Sequence, residues 1–541
     1  MNKSILFYCS MVTIALLSSC NKSENTRFNH DYLPVKLSKG DNWSIINKSG
    51  NVVVKEEYPA DASISRIYDG TYWVRQNNKY QLFSLDSPKK PLIDEDFTAV
   101  TKFSAGVSAV SNPNEPIRVI GTDGKTIATL PTSIKRCFAF SENGYAVVCD
   151  TNDKYGMIDK KGHITIQPNY AYLAGESEGL VLAVKEFGNG KYSILDTKNG
   201  NQQGEIEDSK YDLQSLVFKD GKITSVYQED KESPIVVLDK SGRRLFDIKR
   251  SAANQYLKGE SYVDGYIVFA NSEGKFGIAD SKGEMTIRPK YDFIFNLGKG
   301  MFSVNKNGKF GIVNAEDETV VDFDYKDTYC LMGDNFVMIN SNCYSLIDKN
   351  GKEITSFEQA GMESCSTYAE YVDITNLARK SADVITAFAM PLTAELLANQ
   401  YHLNVDNYHY SSDCNLSNNS DKVSHEFRIY FNGRMTEEMT HQEQVDDGWF
   451  TTTHTVSDGW TWTDATISHI RGTLTINDPN LSEERFEQSL KKALKDDAYE
   501  ETDNETLTKA IENNDKTYES RISLSNSGYN RIYIRIEHIE K

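Results

Sequence analysis

The sequence lacks the short motifs on which most enzyme and cofactor predictions rest. It contains no C-x-x-C pair, no H-E-x-x-H or H-x-H spacing, no phosphate-binding loop and no G-x-G-x-x-G fingerprint. Without them, a thiol redox centre, a zinc site and a nucleotide cofactor have no basis in the sequence. We therefore predict a protein that is not an enzyme and that holds no metal and no cofactor.

Positive charge is also scarce. The 541 residues include 59 Lys and Arg against 78 Asp and Glu, which gives a formal net charge of −19. Nucleic-acid-binding proteins present clusters of basic residues to the phosphate backbone, and no such cluster stands out here. We therefore expect no nucleic-acid partner and interpret the acidic excess as a solvated surface. The 30 Tyr and 24 Phe instead favour a folded protein rich in strands.

Long apolar segments are limited to the N-terminus, where residues 5–17 form a run that is too short for a confident transmembrane helix. Lys3 precedes this run, and Leu17-Ser18-Ser19-Cys20 closes it. The arrangement resembles a bacterial lipoprotein signal peptide with its lipobox. The resemblance implies that Cys20 becomes the first residue of the mature protein and carries palmitate or other acyl chains, which would hold it on a membrane.

From this resemblance we expect a signal peptide with a lipobox over residues 1–20, a polar tether over residues 21–34 and a protein anchored by lipid in the bacterial cell envelope. Glu24 is the one acidic residue between positions 21 and 29. Lipoproteins exported to the cell surface in some bacteria carry an acidic cluster at this point, and this chain does not. The sequence leaves both the periplasmic face and the cell surface open.

Self-similarity is what the sequence has in abundance. The segment that begins at Lys275-Phe276-Gly277-Ile278 runs through an Asp-Ser-Lys-Gly turn to Ile287-Arg288-Pro289-Lys290-Tyr291, and a new copy begins 34 residues later at Lys309. A fixed period of this kind indicates a repeat architecture. Nine copies, several of them degenerate, cover about residues 35–358. The aromatic position falls at Trp43, Tyr80, Tyr155, Tyr192, Phe276, Phe310 and Tyr344, and the turn glycine falls at Gly50, Gly124, Gly162, Gly200, Gly242, Gly283 and Gly351.

Each copy has the pattern of three short strands. The Lys-aromatic-Gly-Ile-x-Asp stretch alternates apolar with small or polar residues, as a half-buried strand does, and the glycine that follows permits a turn. A second strand runs through Ile287 and is expected to end at Pro289, because proline donates no backbone hydrogen bond. A third covers residues 301–304. This mainly β pattern favours a propeller-like ring, with an open β-solenoid as the alternative.

The motif resembles that of the WG-repeat family of bacterial β-repeat proteins. Three copies, at Tyr155, Phe276 and Phe310, keep the aromatic-Gly pair, with Tyr or Phe in place of the usual Trp. The resemblance covers about three-fifths of the chain. It implies a non-catalytic protein that binds or scaffolds a partner, either a protein or a glycan, through its repeat surface.

Six cysteines remain when Cys9 and Cys20 are set aside with the signal peptide. An even number in an exported protein permits three disulfides. Cys137 and Cys149 are the favoured disulfide pair, because they flank the turn signal Glu142-Asn143-Gly144. Free buried thiols are the alternative, since cysteine is also a good small core residue.

The residues after the repeats, 360–541, are expected to form a separate α+β domain of unknown family. Helical spacing of apolar residues predicts one helix from Tyr368 through Ile385, which Met390-Pro391 breaks and which restarts over residues 393–400. Another helix begins at Ser482. A third helix is expected through Leu507 and Ile511. Strands account for most of the remainder.

Three tryptophans, Trp449, Trp460 and Trp462, lie in this last domain on a predicted hairpin that turns at residues 457–459. Beside several aspartates, they are possible ligand-binding residues for a glycan. A carbohydrate-binding or carbohydrate-active module is therefore the alternative function. The other interpretation of these residues is a core or a packed interface, because large aromatic side chains mostly bury area.

Overall fold

The computed structural model describes residues 30–541 except for 188–189, 208–209, 214–215, 228–234, 249–261, 272, 342, 363–364, 389–412, 420–422, 433–434, 447–450, 463–465, 478–481, 503–505, 514–515 and 527–529. The chain divides into two compact units, one that ends at Tyr371 and one that begins at Val372. Within the described ranges, no helix is both long and apolar enough to cross a membrane.

Nine small antiparallel sheets form the first unit, and they are called blades 1 to 9 in chain order. Blades 1 to 3 contain β1 Tyr32–Lys36, β2 Trp43–Asn47, β3 Val52–Tyr58, β4 Ser63–Ile64, β5 Thr71–Gln76, β6 Lys79–Ser84, β7 Ala99–Val100, β8 Val107–Ser111, β9 Arg118–Gly121 and β10 Thr126–Thr129. Blades 4 to 6 contain β11 Ile134–Phe138, β12 Tyr145–Asp150, β13 Tyr155–Asp159, β14 Ile164–Tyr170, β15 Tyr172–Leu173, β16 Leu180–Val184, β17 Lys191–Asp196, β18 Gln202–Glu207, β19 Tyr211–Leu213, β20 Lys222–Tyr227, β21 Ile235–Asp239 and β22 Arg244–Ile248. Blades 7 to 9 contain β23 Ile267–Ala270, β24 Phe276–Ala279, β25 Met285–Tyr291, β26 Phe293–Gly298, β27 Met301–Lys306, β28 Lys309–Asn314, β29 Thr319–Tyr325, β30 Asp327–Met332, β31 Asn335–Ile339, β32 Tyr344–Ile347 and β33 Glu353–Phe357.

The blades are joined in a closed ring. Eight hydrophobic clusters each join one blade to the next along the chain. A ninth cluster joins the ends, because Leu33 and Val35 of blade 1 pack with Val337 and Phe357 of blade 9. Leu33 and Val35 are completely buried there, which stabilises the closure by about 1.5–3 kcal/mol for each side chain. The contacts therefore favour the propeller-like ring over the open solenoid.

Two further strands from the end of the unit reinforce this ring. β34, Gln359–Ala360, pairs with β1 of blade 1. β35, Tyr368–Glu370, pairs with β11 of blade 4, where Arg136 Nε donates to the buried Glu370 Oε1 at 3.0 Å. Because both strands belong to blades, the first unit extends to Tyr371, beyond the boundary predicted at 358–360. The helix predicted from Tyr368 begins only at Ile374, because residues 368–370 pair with β11.

In the described residues, six of the nine blades have four strands rather than the predicted three, blade 4 has five with β35, and blades 2 and 7 have three. The strand that the sequence pattern missed in blade 8 is its first, β26, where buried residues do not alternate with exposed ones. The predicted end at Pro289 is also wrong, since β25 continues through it to Tyr291. β25 is the edge strand of its sheet, and its register shifts between Ile287 and Tyr291. Pro289 is tolerated there because the strand pairing does not require a backbone N–H from it.

In the described residues of the second unit, two helices pack against one face of a seven-stranded antiparallel sheet whose order is β36-β37-β40-β44-β43-β42-β41. The elements described there are α1 Ile374–Phe388, β36 Asp413–Asn419, β37 Val423–Asn432, β38 Met435–Asp446, β39 Thr451–Trp462, β40 Thr466–Ile476, α2 Glu483–Asp496, β41 Glu500–Glu501, β42 Thr506–Asn513, β43 Lys516–Asn526 and β44 Arg531–Glu540. The buried face of α2 carries Phe486, Leu490 and Leu494, and its N-cap is Ser482, as predicted.

Two local predictions for this unit are wrong. The predicted third helix is instead β42, in which Leu507 lies opposite Ile522 and Ile511 lies opposite Tyr518. The predicted turn at 457–459 is instead part of β39, which forms a long two-stranded ribbon with β38. The register shifts between Ser457 and Gly459, so the Ser-Asp-Gly signal produces a β-bulge within one strand.

Candidate functional site

The predicted ligand-binding tryptophans are only partly covered by the described residues. Trp449 lies outside the described residues, as does Cys20. Trp460 and Trp462 both lie on β39, where Trp460 is opposite Glu438 and Trp462 is opposite Met435 in register. The glycan role of these three residues therefore stays a prediction.

The structure does not pair the two cysteines for which a disulfide is expected. Cys137 and Cys149 are both free and buried. Cys137 lies opposite Val148 on the neighbouring strand, and Cys149 lies opposite Arg136, so the two side chains point to opposite faces of blade 4. Burial raises the pKa of Cys137 to about 12 and that of Cys149 to about 11, which makes both thiols poor nucleophiles.

The repeat motif builds one recurring turn before the last strand of a blade. In blade 4, Asp159 Oδ1 accepts the backbone N–H groups of Lys161 at 2.8 Å and His163 at 2.9 Å. The equivalent acceptors in other blades include Asn47, Asp239, Asp280, Asn314 and Asp348. These hydrogen bonds explain the Asp of the motif, because its carboxylate accepts from backbone N–H groups that have no other partner in the turn.

Both motif glycines are required by close packing. Gly162 has a φ of +81°, and a Cβ added to it would lie 2.8 Å from Ala128 Cβ on the last strand of blade 3. Gly277 belongs to the aromatic-Gly pair, and a Cβ there would lie 2.6 Å from the backbone oxygen of Ile287. The first glycine thus sets the distance between blades, and the second sets the distance between strands of one blade.

The last strands of six blades carry exposed apolar side chains at one or both of two successive positions. Each one follows the turn glycine of its blade by two or three residues, and each lies on the edge strand of its sheet. We call this set the last-strand belt, and it comprises Val52, Val53, Ile127, Ile164, Leu245, Met285 and Ile354. Their exposed fractions run from 41% for Ile164 to 60% for Met285. Exposed apolar residues that recur in this way are typical of an interaction surface.

The second unit contains a cavity of about 490 Å³ on the sheet face opposite its helices. Residues of β40 and β44 alternate strictly there, so that Leu474 and Ile534 are buried against the helices while Arg471, Tyr533 and Arg535 are exposed on the other face. The lining residues are Glu426, Arg471, Gly472, Thr473, Ser523, Leu524, Ser525, Tyr533, Ile534 and Arg535. This site has no signal in the sequence, because its residues come from four strands and only the pairing register of those strands brings them together.

Comparison with known proteins identifies the repeats. The model of the WG containing repeat matches residues 43–80, 155–192 and 276–310. Among solved structures, BamB from Moraxella catarrhalis is similar at 11% identity and a TM-score of 0.29, over 54% of this chain and 92% of BamB. Hsv2 from Kluyveromyces lactis is similar at 9% identity and a TM-score of 0.26, over 60% of this chain and 95% of Hsv2. No curated protein matches the chain.

Proposed function

We propose that this chain, which carries WG-containing repeats, is a lipoprotein of the bacterial cell envelope that is anchored through Cys20 and binds or scaffolds a partner protein without catalysing a reaction. The anchor rests on the lipobox-like Leu17-Ser18-Ser19-Cys20 sequence. The binding role rests on the ring, whose blades repeat one surface around its circumference.

The observation that carries the binding role is the last-strand belt. Exposed Ile and Met side chains gain free energy when a partner covers them, at about 25 cal/mol for each Å² of apolar surface removed from water. They lie on edge strands, whose unpaired backbone groups also accept hydrogen bonds from a partner. Apolar contact combined with backbone pairing favours a protein partner over a glycan at the ring.

The test uses the anchored protein extracted from its own membrane in mild detergent. Light scattering after size-exclusion chromatography should give a mass above that of one chain. The belt variant Ile127→Glu, Ile164→Glu, Met285→Glu should elute at the mass of one chain with an unchanged melting temperature, because exposed positions change stability by about 0.5 kcal/mol or less. The control variant Leu92→Glu, Phe187→Glu removes apolar residues that are also exposed but lie outside the belt, and it should keep the larger mass.

Two outcomes would contradict the proposal: a wild-type protein that elutes as one chain, or a belt variant that keeps the larger mass. Loss of the larger mass in the control variant as well would show that apolar exposure in general, rather than the belt, holds the assembly.

A carbohydrate-binding or carbohydrate-active second unit is the alternative function. The observation in its favour is the cavity beside Arg471 and Tyr533, whose polar lining suits a ligand rich in hydroxyl groups. Binding of glycans by the intact protein, abolished by changes in the second unit alone, is the result that this alternative predicts.

A further inference from the structure

The strand register of the second unit places three arginines in one row. Arg428 of β37 lies directly opposite Arg471 of β40, and Arg471 lies directly opposite Arg535 of β44. Neighbouring strands lie about 4.8 Å apart, so the three register positions span about 10 Å across the sheet. The row continues at Ser523 of β43, which lies opposite Arg535.

Placing like charges directly opposite each other lowers the stability of a sheet. The local positive field also affects His469, whose pKa is lowered first by burial and then by Arg535 and Arg471. Two carboxylates border the row. Glu426 lies two residues before Arg428 on β37 and lines the same cavity, and Glu537 Oε1 accepts from Arg535 Nε at 2.9 Å and from Nη2 at 2.6 Å. A guanidinium has five N–H donors, so Arg535 retains donors for a ligand.

The adjacent row of residues on the same sheet face carries an aromatic ring between hydroxyl groups. Tyr533 is 45% exposed and lies opposite Thr473 on one side and Ser525 on the other. All three line the cavity, together with Arg471 and Arg535. An exposed aromatic ring between hydroxyl groups offers an apolar face for a flat ligand and hydrogen bonds at its edges.

We propose that this face, defined by the arginine row and Tyr533, binds a carboxylate-bearing glycan. Guanidinium groups hold carboxylates through paired, charge-assisted hydrogen bonds, and the neighbouring exposed Arg471 and Arg535 match a polymer with repeated carboxylates. The Tyr533 ring packs against the apolar face of a sugar ring, while Thr473 and Ser523 exchange hydrogen bonds with sugar hydroxyls. An acidic peptide fits less well, because peptides pair their backbone with sheet edges and this face offers side chains. The site is independent of the ring and of the tryptophans on β39.

The test is isothermal titration of the full mature chain with oligogalacturonate. A neutral oligosaccharide of the same length, a sulfated oligosaccharide, polyglutamate and single-stranded DNA serve as comparison ligands. We expect binding to oligogalacturonate that weakens as salt is added, since the contacts are ionic. Arg471→Gln should weaken it by about tenfold or more, the loss expected for one charge-assisted hydrogen bond. Tyr533→Ala should weaken it as well.

The matched control is Arg485→Gln, which removes the same charge from an exposed position on α2, on the helical side of the sheet. It should leave the affinity unchanged, and thermal melts of all three variants should coincide with that of the wild type. Absence of binding to oligogalacturonate would overturn the proposal. So would a preference for the sulfated oligosaccharide, polyglutamate or DNA, or an equal loss of affinity in the Arg485 variant. None of these results bears on the belt, whose test uses a different partner.

Discussion

Replacing Gly162 by alanine tests how closely one blade packs on the next. The backbone of Gly162 is left-handed, with a φ of +81°, which costs a residue with a side chain about 1–2 kcal/mol. The new Cβ would also lie 2.8 Å from Ala128 Cβ and 3.3 Å from Leu130 Cδ2 in blade 3. Overpacking of this kind adds about 1–3 kcal/mol. Together the two effects should lower the free energy of unfolding by about 2–5 kcal/mol.

The matched control is Gly179→Ala in blade 5. Gly179 has the same φ of +81°, but an added Cβ meets no atom within 4 Å. Its free energy of unfolding should therefore fall by only about 1–2 kcal/mol, the cost of the left-handed backbone alone. Urea unfolding of the two variants and the wild type, monitored by far-UV circular dichroism, measures the difference. Equal losses in the two variants would refute the packing of blade 4 on blade 3 at this turn.

Three further predictions concern the ends of the chain and the ribbon. Cys20→Ala should move the protein out of the membrane fraction and abolish labelling by a radioactive fatty acid; labelling that persists in this variant would refute acylation at Cys20. Residues 372–541 expressed alone should unfold cooperatively, because the described core between α1, α2 and the sheet is built from side chains of residues 372–541; a molten product would contradict an independent second unit. At least one of Trp460→Ala and Trp462→Ala should lower stability by about 3–5 kcal/mol, as loss of a core aromatic does, whereas normal melts with loss of glycan binding would show a surface site.

Local features of the repeats were predictable from the sequence because their causes are local. Each predicted turn glycine, including Gly50 and Gly351, has a positive φ, which a turn at that point requires. The ring closure had no comparable signal. β34 reaches β1 across more than 300 residues of chain, and pairing at such a distance depends on the geometry of all nine blades together.

The mistaken helix has a simple physical reason. Leu507 and Ile511 are four residues apart, a spacing that places them on one face of a helix and also on one face of a strand. Pairing of Leu507 with Ile522 decides in favour of the strand, and sequence spacing alone cannot reveal that pairing.

The arginine row escaped the sequence analysis for a related reason. Arg428, Arg471 and Arg535 are far apart in the chain, and each is an ordinary polar position of an alternating strand pattern. Only the register of β37, β40 and β44 makes them neighbours. The last-strand belt, by contrast, was open to detection, because its residues occur two or three positions after the turn glycine.

The closed ring is the central claim, and a cross-link between blades 1 and 9 tests it most directly. Asn335 Nδ2 of blade 9 donates to the backbone oxygen of Lys48 in blade 1 at 2.7 Å. In an open solenoid of nine sheets stacked about 10 Å apart, the same positions would lie about 80 Å apart. The double variant Lys48→Cys, Asn335→Cys should therefore form a cross-link within one chain on treatment with a short bis-maleimide, identified by mass spectrometry of the joined peptides. Recovery of the two peptides unlinked, or linked only between different chains, would contradict the ring.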